Sequence, residues 1–388
     1  GSGLEAFGFE LAFEFLMGAQ FSRSYISGIG NLLEPIRKKS KLPGMGCMAI
    51  SSEKVLAEGC CGLRALGREI PIQLSDRWHI GSCGKAMTAT LIALLEEEGA
   101  LSLEAPVTTY LKVSCGALAH EGWDQVTLDH LMCHTGGVPG DLPQHSIWRD
   151  LWRAPDGVTG RRLFVDWVLQ RPPGKLGQYE YANGGYMLLG SVVAAVTGRC
   201  WEEVITQKLF APLKMTSVGF GAPGSKSEET RCFCTSPYEY DEPWGHQQGK
   251  AYPGVDNPEA GRPAGGIHMS LKDWARFVSL HLRGARGEEG LLLKPDTFTK
   301  LHQVFEGETE YARGWIVSTE TWGGGLVLQH AGSNTFWLCQ VWVAPKKNFA
   351  CLVACNELNE GAGTALEEAR QKLVERYCLD VHSDLKSL

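Results

Sequence analysis

The period of the apolar residues changes twice along this chain. Residues 29–38 carry the spacing of an amphipathic helix, and residues 46–50, 55–60 and 77–80 are short apolar runs bounded by turn residues, the pattern of strands. From Ser82 to about Lys272 the pattern is mostly helical. Met87, Leu91, Leu94 and Leu95 recur at three-and-four spacing up to Gly99, and residues 162–170, 185–197 and 201–209 repeat such runs between Pro and Gly punctuation. Strand-like runs return at 314–318, 325–329, 337–344 and 349–354, and a last helix is expected over 364–377. Strands at both ends with helices between them predict an α+β fold. One antiparallel sheet is assembled from residues 4–85 and 270–388 and flanked by terminal helices, and residues 86–269 form an inserted, mainly helical region. The two regions make one integrated unit, with a cleft between them as the natural site.

Two stretches stand outside this scheme. Residues 4–17 are apolar but carry Glu5, Glu10 and Glu14, which rules out a membrane span and favours an amphipathic helix packed on the body or on a second copy of the chain. The preceding Gly1-Ser2-Gly3 reads as an expression scar. Residues 221–266 mix Gly, Pro, Ser, Glu and Tyr without a period, as expected of a lid, a binding wall or a plain surface insertion.

Composition narrows the partners. With 388 residues, 44% apolar and 21% charged, the chain can bury a sizeable core. A net charge of -7, with Arg161-Arg162 and Lys346-Lys347 as isolated basic pairs, leaves no footprint for nucleic acid. The 13 cysteines are odd in number, irregularly spaced and include the adjacent Cys60-Cys61, so they read as free thiols used as small apolar residues, which points to the cytoplasm. Cys232-Phe233-Cys234 has no second Cys or His pair at zinc spacing, and no metal or other cofactor is expected.

Candidate chemistry lies in three motifs in fixed order: Ser82-Cys83-Gly84-Lys85, Tyr181-Ala182-Asn183 and His330-Ala331-Gly332. Ser-x-x-Lys puts a hydroxyl and an amine one helical turn apart on one face. The same spacing recurs at Ser51 to Lys54 and at Ser383 to Lys386, but the first falls in a turn between strands and the second in the last residues of the chain. Only Ser82 opens a helical pattern. His-x-Gly also recurs, at His120 and His134, yet only His330 lies beside an expected hairpin of the sheet. Tyr-x-Asn occurs once.

Taken with His134-Thr135-Gly136-Gly137, Pro173-Gly174 ahead of Tyr181, and Pro263-Ala264-Gly265-Gly266 ahead of Ser270, the motifs resemble the serine beta-lactamase and penicillin-recognising enzyme superfamily, closest to its class C beta-lactamase, D,D-peptidase and esterase branch. The likeness covers residues from about Pro43 to Asn356. It implies a beta-lactamase/transpeptidase-like fold, one catalytic unit, a Ser82 nucleophile and an oxyanion site made by the backbone N–H groups of Ser82 and Ser333. It also implies that Asn183 orients Lys85 or the substrate amide. Gly332 is apt because backbone must approach the substrate closely there.

Ser82 needs a base, and neither Lys nor Tyr is one at neutral pH unless burial or a neighbouring charge moves it. Lys85 and Tyr181 are therefore named jointly. His330 stands where the beta-lactamases of this superfamily carry a lysine, so carboxylate recognition should be weaker and ester, amide or peptide substrates favoured over beta-lactams. The alternative is a strand-edge histidine bonded to backbone. The expected partner is a small acyl substrate; hydrolysis, acyl transfer to an amine or alcohol, and a non-catalytic scaffold that retains the fold are the competing functions. Tyr252, Trp315 and Trp337 are candidates for an acyl pocket or for core packing.

Overall fold

Two runs that the sequence marks as continuously apolar pair side by side in the interior of the main sheet. The structure, a computed structural model, describes residues 23–64, 71–223, 256–305 and 310–379. The elements that position the site are, in chain order, α1 (Arg23–Lys39), β1 (Gly44–Ile50), β2 (Val55–Gly62), β3 (Arg77–His79), α2 (Gly84–Glu97), α3 (Gly157–Leu169), α4 (Asn183–Thr197), β4 (Gly219–Phe220), β5 (Ile267–Ser270), α5 (Leu271–Ala285), β6 (Ile316–Glu320), β7 (Gly325–Ser333), β8 (Leu338–Ala344), β9 (Phe349–Cys355) and α6 (Ala362–Val374).

The main sheet has the order β2-β1-β9-β8-β7-β6, antiparallel throughout. β1 and β9 are buried along their whole length because both faces are covered. Cys47 and Ala49 of β1, with Cys351 and Val353 of β9, lie under Ile29, Leu33 and Ile36 of α1 and Leu366 and Leu373 of α6. Met48 and Ile50, with Leu352 and Ala354, face the larger core that includes α2, α4 and α5. The alternation is the period of two that a pleated strand imposes. Each fully buried Ile or Leu here stabilises by about 1.5–3 kcal/mol. The thiols behave as small apolar groups, and every described cysteine is free.

Several expectations are corrected. The run read as an amphipathic helix, α2, is buried from Gly84 to Leu95 and is a central core helix. Its polar positions are satisfied internally, Thr88 Oγ1 donating to Pro263 O and Thr90 Oγ1 to Ala86 O, each at 2.7 Å. β3 does not join the main sheet; it pairs with β5, which pairs with β4, in a small second sheet. β4 and β5 escape detection because two and four residues are too short to show a period. The 201–209 run splits into a helix at Trp201–Ile205 and a π turn at Thr206–Phe210. The aperiodic stretch 221–266 ends in ordered turns, Glu259–Gly261 and Arg262–Gly265. Residues 4–17, the greater part of that aperiodic stretch, Cys232 to Cys234, Tyr252 and the Ser383 to Lys386 repeat lie outside the described residues.

A buried ion pair ties the helices to the C-terminal half. Arg313, just before β6, makes a two-pronged contact with Asp129 of the Leu128–Met132 helix, both bonds at 2.5 Å, and also donates to the carbonyls of Lys300 and Gln303. Both side chains are buried. Removing one member strands the other charge, so Asp129→Ala is expected to lower unfolding free energy by about 3–5 kcal/mol, measured by urea denaturation. A loss under about 1 kcal/mol would show that the pair does not hold these parts together.

Candidate active site

The serine turn is shaped by its backbone. Ile80 N–H donates to Ile267 O at 3.0 Å, Gly81 then takes φ +49°, and a 3-10 turn over Gly81–Cys83 leads into α2. Gly81 is in the left-handed region where a side chain is strained, and a Cβ there would lie 2.2 Å from the Ser333 nitrogen. The turn is thus seated on the end of β7. Ser82 lines a cleft, and one helical turn on, Lys85 is fully buried beneath it.

Lys85 Nζ reaches three oxygens from three segments: Ser82 Oγ at 3.0 Å, Asn183 Oδ1 at 2.7 Å and Ala264 O at 2.7 Å. Burial pulls its pKa down from the ordinary lysine value to about 7. Asn183 is the first residue of α4, and Tyr181 lies in the extended segment before it. The Tyr181 ring centroid is 4.7 Å from Lys85 Nζ. Burial raises the Tyr181 pKa well above the ordinary phenol value, and the nearby Ser82 hydroxyl offsets only part of this.

His134, the first residue of the His134-Thr135-Gly136-Gly137 motif, packs directly on Tyr181, ring centroids 4.3 Å apart, and accepts from the Ala182 N–H at 3.1 Å through Nδ1. It fixes the backbone that carries Tyr181 and Asn183. Burial, with the nearby Lys85 and His330, holds its pKa well below the usual histidine value, so the ring is neutral.

β6 pairs with β7 only as far as Gln329, so His330 to Ser333 run past the end of β6. Gly332 packs on the serine turn: a Cβ there would lie 1.9 Å from Ile80 O and 2.9 Å from Cys83 N. Ser333 lines the cleft, but His330 does not. The His330 ring is buried, with Nδ1 2.6 Å from Ala331 O and Nε2 2.9 Å from Tyr311 Oη. A carbonyl only accepts, so Nδ1 carries the proton and Nε2 faces the Tyr311 hydroxyl. Both ring nitrogens are occupied within the protein, one of them by backbone.

The cleft has a volume of about 210 Å³. Its apolar wall is Leu142, Pro143, Trp148, Leu151, Trp152 and Met187, and Asp256 is the one ionisable acid or base among its described lining residues. None of the apolar group had a sequence signal beyond hydrophobicity. Trp315 and Trp337, candidates for this wall, are instead buried in the core, and Cys83 also points inward, 3.8 Å from Cys339 Sγ. At Ser51 to Lys54 the chain makes the expected turn between β1 and β2, with Ser51 N–H donating to Lys54 O. Among the described residues no His, Cys, Asp and Glu cluster has the arrangement to hold a metal ion, and no helix is long and apolar enough to cross a membrane.

An antiparallel sheet closed by helices from both ends of the chain, with a serine and a buried lysine where an inserted helical region meets it, defines the beta-lactamase and transpeptidase type of fold. The Beta-lactamase family model matches residues 29–375, and the chain belongs to that family. Protein flp of Staphylococcus aureus is 22% identical over 355 residues, 90% of this chain and 67% of that protein. The octameric penicillin-binding protein homologue from Pyrococcus abyssi superposes with a TM-score of 0.67 at 21% identity, over 90% of this chain and 77% of that one. The D-amino acid amidase from Ochrobactrum anthropi SV3, solved with L-phenylalanine amide, gives a TM-score of 0.67 at 18% identity, over 93% and 99%.

The approach of Gly332 to Ile80 leaves no room for a methyl group. Gly332→Ala is expected to cost at least about 2 kcal/mol in urea unfolding, because backbone rather than a flexible side chain must shift. Gly363→Ala, with nothing within 4 Å of the added carbon, should stay within about 0.5 kcal/mol of the native protein. Equal effects at the two sites would contradict the tight seating of the serine turn.

Proposed function

We infer that the protein is a serine hydrolase that forms an acyl-enzyme on Ser82. The observation that carries this reading is the setting of Lys85 Nζ, 3.0 Å from Ser82 Oγ with Asn183 Oδ1 and Ala264 O as its other two partners. A neutral amine has two N–H groups and one lone pair. Two oxygens that only accept, the Asn183 amide and the Ala264 carbonyl, take the N–H groups and leave the lone pair directed at the serine hydroxyl. After proton transfer the ammonium has three donors for the same three oxygens. The cage fits both states of a base, and a pKa of about 7 lets it cycle between them at neutral pH.

In this reaction Ser82 Oγ bonds to the substrate carbonyl carbon as its proton passes to Lys85 Nζ. The oxyanion lies between the N–H groups of Ser82 and Ser333, donors of a kind worth about 3 kcal/mol each to a transition state. Collapse breaks the bond to the leaving group, which takes a proton from the Tyr181 phenol as Lys85 resupplies it. Burial keeps that phenol protonated, which divides the labour: Lys85 is the base and Tyr181 the proton carrier. Water then releases the acyl group by the reverse sequence.

The cleft supports an uncharged acyl group. Its described lining residues carry no cation for a carboxylate, His330 is turned into the protein, and Asp256 would repel an anion. The amidase neighbour and the penicillin-binding homologue fit the same reaction type.

Labelling with an aryl phosphonate should add one adduct by mass spectrometry, and Ser82→Ala should abolish it; an adduct that survives this change overturns the assignment. Lys85→Ala should lower the acylation rate by at least about 10²-fold. In the native protein the acylation rate should rise with pH through about 7, as Lys85 loses its proton, and a rate that falls over this range would reject Lys85 as the base. Neutral p-nitrophenyl esters should exceed their hemisuccinate counterparts in kcat/KM by about tenfold or more. A product formed by capture of an added amine would assign the second half of the reaction to transfer.

A further inference from the structure

Two residues that no motif marks connect the serine turn to the turn that follows β7. The Gly81 N–H donates to His79 Nδ1 at 3.1 Å, which makes Nδ1 an acceptor and places the ring proton on Nε2. Nε2 lies 3.1 Å from Asp256 Oδ2. The other carboxylate oxygen, Oδ1, accepts from Asn334 Nδ2 at 3.2 Å and from the Asn257 N–H at 2.8 Å. The Asn334 amide is itself oriented by backbone, since its oxygen accepts from the N–H groups of Phe336 and Trp337 at 3.2 and 3.1 Å. His79 is fully buried and its ring stacks on Trp337, centroids 5.9 Å apart.

We propose that His79 and Asp256 are positioning residues, and that the hydrogen-bonded chain from Gly81 through His79 and Asp256 to Asn334 holds the serine turn against the end of β7. The N–H groups of Ser82 and Ser333 belong to those two segments, so the chain sets their mutual aim. This role rests on the reading of Ser82 as the nucleophile. Asp256 suits it because a carboxylate accepts on every side. An amide at position 256 must turn its NH₂ either toward His79 Nε2–H or toward the two donors on Oδ1. In the first orientation the imidazole relieves the clash only by moving its proton to Nδ1, where it meets the Gly81 N–H. In the second, Asn334 loses its tie. Either way one donor faces another, and a buried unmade hydrogen bond is costly.

The test is Asp256→Asn, with His79→Asn and His79→Gln beside it. Hydrogen exchange at the Gly81 amide and nitrogen-15 shifts of the His79 ring read the chain without turnover. In the native protein His79 should be the Nε2–H tautomer; in Asp256→Asn, Gly81 exchange should quicken by about tenfold or more, with the thermal midpoint moved by less than about 3 °C. Turnover per phosphonate-titrated site should fall about tenfold at unchanged KM, since aim rather than binding is lost. His79→Asn keeps an acceptor near the Nδ1 position and should retain more activity than His79→Gln. Unchanged Gly81 exchange and His79 tautomer in Asp256→Asn overturn the proposal, as does a raised KM at native kcat, which would make Asp256 a substrate contact. A native protein that fails to label at Ser82 refutes the hydrolase reading instead, while the exchange data still decide whether the pair holds the turn.

Discussion

The site depends on enclosing one amine. A lysine removed from water cannot keep its charge without partners, and the fold answers by bringing three oxygens to Lys85 Nζ from the serine turn, the start of α4 and the turn before β5. That demand explains much of the surrounding architecture. α2 is buried nearly throughout because it must carry Lys85 into the interior, and α4 must begin at Asn183 for its amide to reach inward. The small sheet of β3, β5 and β4 brings the Ala264 turn beside Ser82.

The rings around this amine form a second layer. Tyr181, His134, Tyr311 and His330 pack in mutual contact, with His134 bonded to the Ala182 N–H and His330 to Tyr311. They exclude water from one side of Lys85 while setting the backbone of two motifs. His330 and Lys85 both lie against the Tyr181 ring, so on the proposed reading of Lys85 as the base a positive charge in place of His330 would disfavour its protonated form.

What could be read in advance follows the range of the interactions involved. Ser82 and Lys85 were legible because their one-turn spacing opens a helical run, which the two other such spacings do not, and β1, β7, β8 and β9 because apolar runs bounded by turns are local signals. The place of His330 in the chain was legible, but the direction of its ring was not, since that depends on Tyr311 nineteen positions away, a residue that no pattern marks. Asp256 lies within the aperiodic stretch 221–266 and gains meaning only from His79 and Asn334, far from it in sequence. Burial all round α2 was hidden by Thr88 and Thr90, which read as polar yet are satisfied by carbonyls inside the core.

The pairing of β1 with β9 has a consequence for how the molecule is made. Met45 lies opposite Cys355, so two interior strands of the sheet come from widely separated parts of the described chain. At about 5–20 residues per second, β1 leaves the ribosome on the order of tens of seconds before its partner exists. Until then the apolar edge of β1 and the inner faces of α1 and α2 have no sheet to cover them, and surface of that kind is prone to aggregate. Closing so long a loop also delays the main sheet after release, and maturation should be slow compared with helical proteins of similar size.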